Sequence, residues 1–247
     1  MIDTHAHLEA CADPPSALVA RARTAGVTRI LAVGSTIESC RSALAAAEAE
    51  EGVFAILGVH PHEAASEGDR LGELAALLAH PRAVAVGETG LDFYRDHAPR
   101  ERQLEVFDAE LELARGHGKP VVIHTRAADK ETVRVLERFD GTVVLHCFSS
   151  AALLPVALER GYYVSFAGNV TFPNASELRV AATQVPADRL LAETDTPYLA
   201  PQPVRGRPNE PANVVHTLAV LAEAREIDRA ELEAQIDANA TAAFHLP

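Results

Sequence analysis

The sequence predicts an α/β fold in which a (β/α)8 barrel forms a single domain across residues 1–247. Eight short apolar strand patterns alternate with helical patterns, and 247 residues is a normal length for one such barrel. Polar residues also recur at or just past the C-terminal ends of six predicted strands, the face on which barrel enzymes build their sites. They are His7, His60, Glu88, His124, His146 and Asp195. An open α/β sheet is the alternative, and the shared location of the six residues favours the barrel.

The eight predicted strands are apolar runs, most of them bounded by Gly, Pro or Asp. The first opens the chain, and the fifth follows the pair Lys119-Pro120. The strands cover Met1–His7, Thr28–Gly34, Val53–Val59, Ala83–Glu88, Val121–Thr125, Thr142–Cys147, Tyr162–Phe166 and Arg189–Thr194.

Helical patterns separate these strands. The clearest is Arg100–Gly116, where Leu104, Phe107 and Leu111 recur at helical spacing behind Pro99. Two terminal helices follow the eighth strand, after a loop from Leu199 to Pro211. The other predicted helices are Pro14–Ala25, Ser39–Glu50, Leu71–Ala79, Glu131–Phe139, Leu153–Arg160 and Ala175–Gln184. No linker interrupts the pattern.

Composition excludes several classes of protein. Hydrophobic residues make up 48% of the chain and charged residues 23%, which is typical of a globular protein. No apolar run approaches the roughly 20 residues of a membrane span, and no signal peptide precedes the first strand, so we expect a cytoplasmic protein. Three scattered cysteines predict reduced thiols and neither disulfides nor a thiolate zinc site.

The net charge of −13 argues against sequence-independent binding to duplex DNA, which depends on Lys and Arg. Bound cations would cancel part of this acidity. A function that handles phosphate groups is therefore compatible with the composition only if positive charge is concentrated at a site.

Alternation of side chains along the strands predicts a metal centre. His5 and His7 point to the same side of the first strand, and Glu88, His124 and His146 each end an otherwise apolar stripe. Buried imidazoles and carboxylates without thiolates or another counter-charge are most simply satisfied by divalent metal. The alternative is a buried network of histidines and carboxylates.

Two metal ions are the natural number for this set. Six candidate ligands, the five above together with Asp195, are too many for one catalytic ion with an open position, and a carboxylate such as Glu88 can bridge two ions. The histidines favour Zn, Mn or Co, whereas phosphoryl chemistry often uses Mg.

The motifs around these residues resemble those of the TatD-type metal-dependent hydrolases of the amidohydrolase superfamily, most often described as deoxyribonucleases. The resemblance spans essentially the whole chain. The motifs are Asp3-Thr4-His5-Ala6-His7, Gly58-Val59-His60-Pro61-His62, Gly87-Glu88-Thr89-Gly90-Leu91-Asp92, Val122-Ile123-His124-Thr125-Arg126, His146-Cys147-Phe148-Ser149, Glu193-Thr194-Asp195-Thr196-Pro197-Tyr198 and Arg207-Pro208-Asn209-Glu210-Pro211.

The resemblance implies roles for the six candidate ligands. In the family pattern one metal is held by His5, His7, Glu88 and Asp195, and the second by Glu88, His124 and His146. Asp195 is also placed to take a proton from the attacking water, so Glu88 and Asp195 are the expected catalytic residues. The implied substrate is DNA, single-stranded or at its ends, with no membrane association and no obligate protein partner.

Six further residues are candidate substrate contacts. A protonated His62 could donate to a phosphate oxygen, and His60 could do so too unless Pro61 fixes it in a structural turn. Arg126 is either a phosphate clamp or a partner in a surface ion pair. The other three, Arg205, Asn209 and Glu210, follow the eighth strand in a loop that either closes on substrate or is merely structural.

Three residues near the candidate ligands carry separate expectations. Glu210 is a candidate additional ligand, or else a carboxylate that offsets a helix dipole. Glu193 shares the parity of Asp195, so we expect it inside the barrel, bound to a partner that the sequence does not identify. Cys147 has the opposite parity to His146 and should face the helices as an inert thiol.

Three functions compete. The leading one is a metal-dependent phosphodiesterase acting on DNA. A second is a binuclear hydrolase of another ester, lactone or amide, many of which bridge their metals with a carboxylated lysine; the nearest candidate, Lys119, is expected at the opposite end of the barrel. A third is a catalytically silent barrel that binds a nucleotide or a partner protein, which the complete ligand set disfavours.

Overall fold

A computed structural model describes all 247 residues. It contains one sheet of eight strands in the order β1 to β8, and every neighbouring pair is parallel. The strands are β1 Ile2–Ala6, β2 Arg29–Gly34, β3 Val53–Leu57, β4 Ala83–Asp92, β5 Val121–Arg126, β6 Val143–Leu145, β7 Tyr163–Phe166 and β8 Leu190–Ala192. The predicted (β/α)8 barrel is confirmed.

Backbone hydrogen bonds between β1 and the segment after β8 close the barrel. The Asp195 N–H donates to the His5 carbonyl at 3.0 Å, and the His7 N–H donates to the Thr196 carbonyl at 2.8 Å. Ala6 and Thr196 form a parallel bridge between these two contacts. The closure therefore brings the first and the last predicted metal ligands in the chain together.

Helices cover the outside of the barrel. They are α1 Pro15–Thr24, α2 Ile37–Ala49, α3 Ala64–Glu67, α4 Leu71–Leu78, α5 Arg100–His117, α6 Asp129–Leu136, α7 Leu154–Glu159, α8 Ser176–Gln184, α9 Val214–Arg225 and α10 Arg229–Phe244. None is long and apolar enough to cross a membrane. A continuous buried apolar cluster lies between helices and sheet and includes Phe107, Phe139, Phe166 and Phe244.

Local side-chain chemistry explains where several helices begin. In α2 the Thr36 hydroxyl accepts the Ser39 N–H while Ser39 binds back to the Thr36 N–H. This capping box starts the helix at Ile37, two residues before the predicted start. In α7 Pro155 lies in the first turn, where no N–H donor is needed, so it does not break the helix.

The strands differ from prediction mainly at the barrel mouth. β4 continues to Asp92 and not only to Glu88, whereas β6 and β8 end before His146 and Asp195. Past these two strand ends, Cys147 and Asp195 take positive φ values of 44° and 54°. Left-handed backbone is unfavourable for side chains other than Gly, and such strain concentrates at functional sites.

Two glycines allow the end of β3 and the middle of β4 to approach each other. A Cβ atom at Gly58 would lie 2.5 Å from the carbonyl carbon of Gly87. Gly87 itself has φ of +143°, and a Cβ there would lie 2.6 Å from the Val122 carbonyl oxygen. Only glycine therefore fits directly before Glu88, which allows this side chain to reach the centre of the mouth.

Candidate metal centre

Glu88 lies at the centre of a buried cluster, and its two carboxylate oxygens face different histidines. Oε2 lies 3.3 Å from Nε2 of both His5 and His7. Oε1 lies 2.7 Å from His124 Nδ1 and 2.8 Å from His146 Nε2. The Glu88 residue is only 3% exposed. We name the two halves of the cluster by their histidines, the His5–His7 side and the His124–His146 side.

Asp195 completes the His5–His7 side. Its Oδ1 atom lies 3.8 Å from His7 Nε2, and its carboxylate, with one ring nitrogen each of His5 and His146, forms a group whose atoms lie within 4.8 Å of one another. Burial raises the pKa of Asp195 to about 7, although the charges of His146 and His7 act in the opposite direction. A buried carboxylate in this position needs positive charge beside it to remain ionised.

The spacing of the ring nitrogens fits divalent metal. His5 Nε2 and His7 Nε2 lie 3.3 Å apart, and His124 Nδ1 and His146 Nε2 lie 3.5 Å apart. Two nitrogens bound tetrahedrally to one zinc ion at about 2.0–2.1 Å lie roughly 3.4 Å from each other. The ring nitrogens lie close to one another and beside a carboxylate, and no Lys or Arg belongs to the group. Such a set of donor atoms is what a divalent ion requires.

Glu193 orients one histidine of the His124–His146 side. Its Oε1 atom lies 3.1 Å from His146 Nδ1 and accepts the Cys147 N–H at 2.8 Å. A carboxylate on the outer nitrogen places the proton there and leaves Nε2 free as a ligand atom. This contact supplies the partner of Glu193 inside the barrel that the sequence left unidentified.

Asp92 is a site residue that the sequence analysis did not single out. It is fully buried, and its Oδ2 atom lies 2.8 Å from His62 Nε2 and 3.4 Å from His124 Nε2. Its Oδ1 atom accepts the N–H groups of Tyr94 and Arg95. Burial opposes ionisation, but hydrogen bonds from His124 and these amides hold the pKa of Asp92 well below its ordinary value. The sequence analysis would have identified Asp92 if the alternation of side chains that relates Val86 to Glu88 had been continued to the observed end of β4.

The family model described as TatD related DNase matches residues 2–245. The chain belongs to the TatD family. It is 44% identical to the uncharacterized metal-dependent hydrolase TatD of Mycobacterium tuberculosis, over 90% of this chain and 89% of that one. It is 38% identical to the 3'-5' ssDNA/RNA exonuclease TatD of Cronobacter sakazakii, over 92% and 90% of the two chains.

The fold comparison gives the same family. The crystal structure of the TatD homologue YJJV from Escherichia coli K12 superposes with a TM-score of 0.93 at 32% identity, covering 100% of this chain and 98% of that one. The protein is therefore a metal-dependent hydrolase of the TatD family, and its cluster of His, Glu and Asp residues can bind metal.

His60 lies in the cluster of this TatD-family barrel, but its hydrogen bonds indicate a donor. Its Nδ1 atom accepts the His62 N–H at 3.1 Å, and its Nε2 atom lies 3.3 Å from Glu88 Oε1. An imidazole that accepts at Nδ1 carries its proton at Nε2. A metal bound at Nε2 would move the proton to Nδ1 and break the contact with His62. His60 therefore has both roles: it lies in the turn at Pro61, and it presents a hydrogen-bond donor to the site.

The predicted arginine contacts lie at the rim of the mouth. Arg126 is exposed and stacks over the Tyr94 ring at 4.2 Å from its centroid, and Arg205 stacks over Phe172 at the same distance. Neither guanidinium makes an ion pair, so the alternative of a surface ion pair for Arg126 is wrong. Both remain free to meet a phosphate.

Asn209 and Glu210 are corrected from substrate contacts to loop contacts. The Asn209 side chain is buried, donates to the carbonyls of Thr194 and Tyr198, and accepts the Glu210 N–H. Its hydrogen-bonding groups are thus used within the protein. The Glu210 carboxylate lies 2.6 Å from Arg21 Nε on α1 and ligates nothing in the cluster. These two side chains hold the loop after β8 in place.

Cys147 also departs from prediction, because β6 ends at Leu145 and the strict alternation ends with it. The Cys147 thiol lies beside the Asp195 carboxylate and does not face the helices. Burial, together with the negative charge of Asp195, raises the pKa of the thiol well above its ordinary value. We therefore still expect an inert thiol, because its pKa is raised and not because it faces the helices.

Proposed function

We propose that the protein is a phosphodiesterase that hydrolyses DNA, with two divalent ions that share Glu88. The observation that carries the proposal is that the two oxygens of one buried carboxylate face two separate pairs of histidines. Ions bound in this way would polarise the scissile phosphate, lower the pKa of a water molecule and stabilise the leaving oxygen.

The ligand assignment follows the two sides of the cluster. His5, His7 and Asp195 would hold one ion with Glu88 Oε2, and His124 and His146 the other with Glu88 Oε1. The distances support this division, because the ring nitrogens pair within each side at 3.3 and 3.5 Å. The numbers and types of ligand suit Zn, Mn or Co, and Mg remains a candidate for phosphoryl chemistry.

Asp195 is the proposed general base. Its contact to His7, at 3.8 Å, is too long for a direct hydrogen bond, so this histidine does not occupy the carboxylate oxygen. Its backbone is fixed on both sides, since its N–H donates to His5 and its carbonyl accepts the Tyr198 N–H. The carboxylate would therefore accept the proton without a change of position.

His60 and His62 are the proposed donors to the phosphate oxygens. The proton on His60 Nε2 points toward Glu88, at the point where a bound phosphate would meet the ions. His62 Nε2 is held by Asp92 at 2.8 Å, and its ring stacks on His97 with centroids 4.5 Å apart.

Two observations support DNA as the substrate, the name of a relative in the family and the positive charge at the rim of the mouth. A relative that is 38% identical is named a 3'-5' ssDNA/RNA exonuclease. In a chain of net charge −13, two unpaired arginines at the rim, Arg126 and Arg205, supply the local positive charge that binding of a polyanion needs.

A hydrolase of another ester, lactone or amide is the weaker alternative. The Lys119 ammonium donates to the carbonyl of Ala83, the first residue of β4, so it lies at the end of the barrel opposite the cluster. A carboxylated Lys119 cannot bridge metals from there, whereas Glu88 lies where it would bridge them.

Digestion of end-labelled DNA tests the proposed function. Single-stranded, duplex and overhanging oligonucleotides would be incubated with enzyme loaded with Mg, Mn, Zn or Co, beside a panel of carboxylic esters and lactones. We expect metal-dependent shortening of DNA that Glu88→Ala abolishes. Turnover of an ester or lactone, with intact DNA under every metal, would contradict the proposal.

A further inference from the structure

Three large apolar residues are strongly exposed, and two of them border the cluster. Tyr94 is 64% exposed, Tyr198 58% and Val180 56%. Val180 lies on α8, in a groove beside α7. Single exposed apolar residues are ordinary in soluble proteins, so the position of the two tyrosines is what requires an explanation.

Tyr94 is tied to the His124–His146 side by its backbone. Its N–H donates to Asp92 Oδ1 at 2.9 Å, and the other oxygen of Asp92 contacts His62 and His124. The preceding residue, Phe93, continues the β4–β5 ladder by donating to the Arg126 carbonyl at 2.9 Å. The backbone that carries the exposed ring is therefore fixed at the rim.

Arg126 adds a cation to this ring. Its guanidinium carbon lies 4.2 Å from the ring centroid, and in the ladder Arg126 pairs with Asp92. The guanidinium has no carboxylate partner, so its donors are free. An aromatic ring that stacks with a base, beside a cation that meets the backbone, is the combination by which proteins hold single-stranded nucleic acid.

Tyr198 repeats this arrangement on the other side of the mouth. Its N–H donates to the Asp195 carbonyl at 2.8 Å, and its own carbonyl accepts from Asn209. Its ring centroid lies 6.0 Å from that of His7. Tyr94 follows β4 and Tyr198 follows β8, and strands four apart in a closed barrel of eight lie opposite each other.

We propose that Tyr94, backed by Arg126, and Tyr198 are base-stacking platforms on the two sides of the scissile phosphate. This inference rests on the proposed function and specifies its substrate as single-stranded nucleic acid or an unpaired end. A base can stack on a tyrosine ring only through a face that has left the base stack, which bases in the interior of a duplex do not offer. Stacking also tolerates any base, so the enzyme would show little sequence preference.

The test compares two oligonucleotides in four proteins. One substrate is a single-stranded oligonucleotide, and the other has the same length and backbone but no bases. We measure kcat and KM for the wild-type enzyme, Tyr94→Ala, Tyr198→Ala and the control Val180→Ala, which removes exposed apolar surface elsewhere. Each tyrosine variant should raise KM for the base-bearing strand by roughly 5- to 100-fold, the size of one stacking contact, and change KM for the base-free strand little.

Two further measurements sharpen the test. Tyr94→Trp keeps an aromatic face, so it should restore the low KM that Tyr94→Ala loses. Blunt duplex DNA should have a much higher KM than the single strand. If wild-type enzyme cleaves single-stranded DNA but the tyrosine variants treat both oligonucleotides as wild type does, the platforms are refuted and the proposed function stands. If no nucleic acid is cleaved with any metal, both are refuted.

Discussion

The two sides of the cluster are assembled and supported differently. The His5–His7 side forms where the two ends of the sheet meet, through backbone hydrogen bonds between His5, His7 and the segment around Asp195. The His124–His146 side comes from the adjacent strands β4 and β5 and the end of β6.

Support from outer carboxylates separates the two sides further. His146 Nδ1 is held by Glu193, whereas His124 Nε2 has no hydrogen-bond partner and lies 3.4 Å from an oxygen of Asp92. On the other side His5 Nδ1 has no hydrogen-bond partner, and His7 Nδ1 has only the Ser35 hydroxyl at 3.4 Å. Carboxylates on the outer nitrogens of ligand histidines increase metal affinity. The comparison indicates a firmly held ion beside His124 and His146 and a more exchangeable ion beside Asp195, where the base is needed.

The largest expected effect is that of Asp195→Asn. Asparagine keeps the shape and one ligand oxygen but is a far poorer base, so kcat on DNA should fall by roughly 10²-fold or more while KM is held. Kinetics at saturating Mn or Zn are the measurement. Recovery of near-wild-type turnover at excess metal would show that Asp195 only anchors the ion of its side.

Glu193→Gln tests the stronger support of the His124–His146 side. Loss of the carboxylate from His146 should weaken one of two metal affinities by roughly 10- to 100-fold. Titration against a competing chelator measures both affinities. Ser35→Ala is the matched change at His7, and it should alter the weaker affinity much less. Equal losses of metal affinity in the two variants would contradict the stronger support of the His124–His146 side.

The alternation of strand residues predicted much of this centre, and the limits of that prediction are physical. His124 lies within a regular strand, where alternation fixes the direction of a side chain, and Glu88 lies within β4 at a shift in the register with β5. Asp92 was missed because β4 continues past the predicted end. Cys147 was misplaced because its left-handed backbone follows a strand of only three residues, and no local pattern in the sequence encodes that turn.

Contacts between distant segments could not be predicted from the sequence either. The pairing of Glu210 with Arg21 joins positions on different elements, and the stacking of Arg126 on Tyr94 depends on the β4–β5 register. The barrel could be predicted because its alternating pattern repeats eight times, whereas each of these contacts occurs once.

Glu110 supports the element between the two sides. This α5 carboxyl is buried, accepts the Val59 N–H at 2.7 Å and pairs with the hydroxyl of Thr89, the neighbour of Glu88. Burial raises its pKa from 4.5 to about 8, whereas these two hydrogen bonds lower it. In the unfolded chain the pKa returns to its ordinary value, so the folded state binds more protons between these values.

Wild-type stability should therefore contain a contribution from Glu110 that falls as pH rises from about 5 to 8, at up to about 1.4 kcal/mol per pH unit. Glu110→Gln keeps an acceptor oxygen for the Val59 N–H and an amide group beside the Thr89 hydroxyl, but it does not titrate. Urea titrations at pH 5.5 and pH 9 give the free energy of unfolding of each protein. The value for Glu110→Gln minus the value for the wild type should be larger at pH 9 than at pH 5.5. An equal difference at both pH values would contradict a neutral Glu110.

The smallest expected effects concern the arginines at the rim. Arg126→Ala acts on the His124–His146 side, and the pair Arg205→Ala and Arg207→Ala acts in the loop after β8. Each lost phosphate contact should reduce the slope of log binding constant against log salt by roughly 0.7 for single-stranded DNA. Binding of a labelled oligonucleotide at several salt concentrations shows which side meets the phosphates. Unchanged slopes and KM in all three variants together would refute phosphate clamping by arginine.

Metal content tests the central account, that Glu88 joins the two sides, most directly. Elemental analysis at saturating metal should find two ions per chain in the wild type, none in Glu88→Ala, and two in the control Glu110→Gln, which alters a buried carboxyl outside the cluster. A wild-type protein that saturates at one ion, or a Glu88→Ala variant that keeps two, would contradict the shared carboxylate.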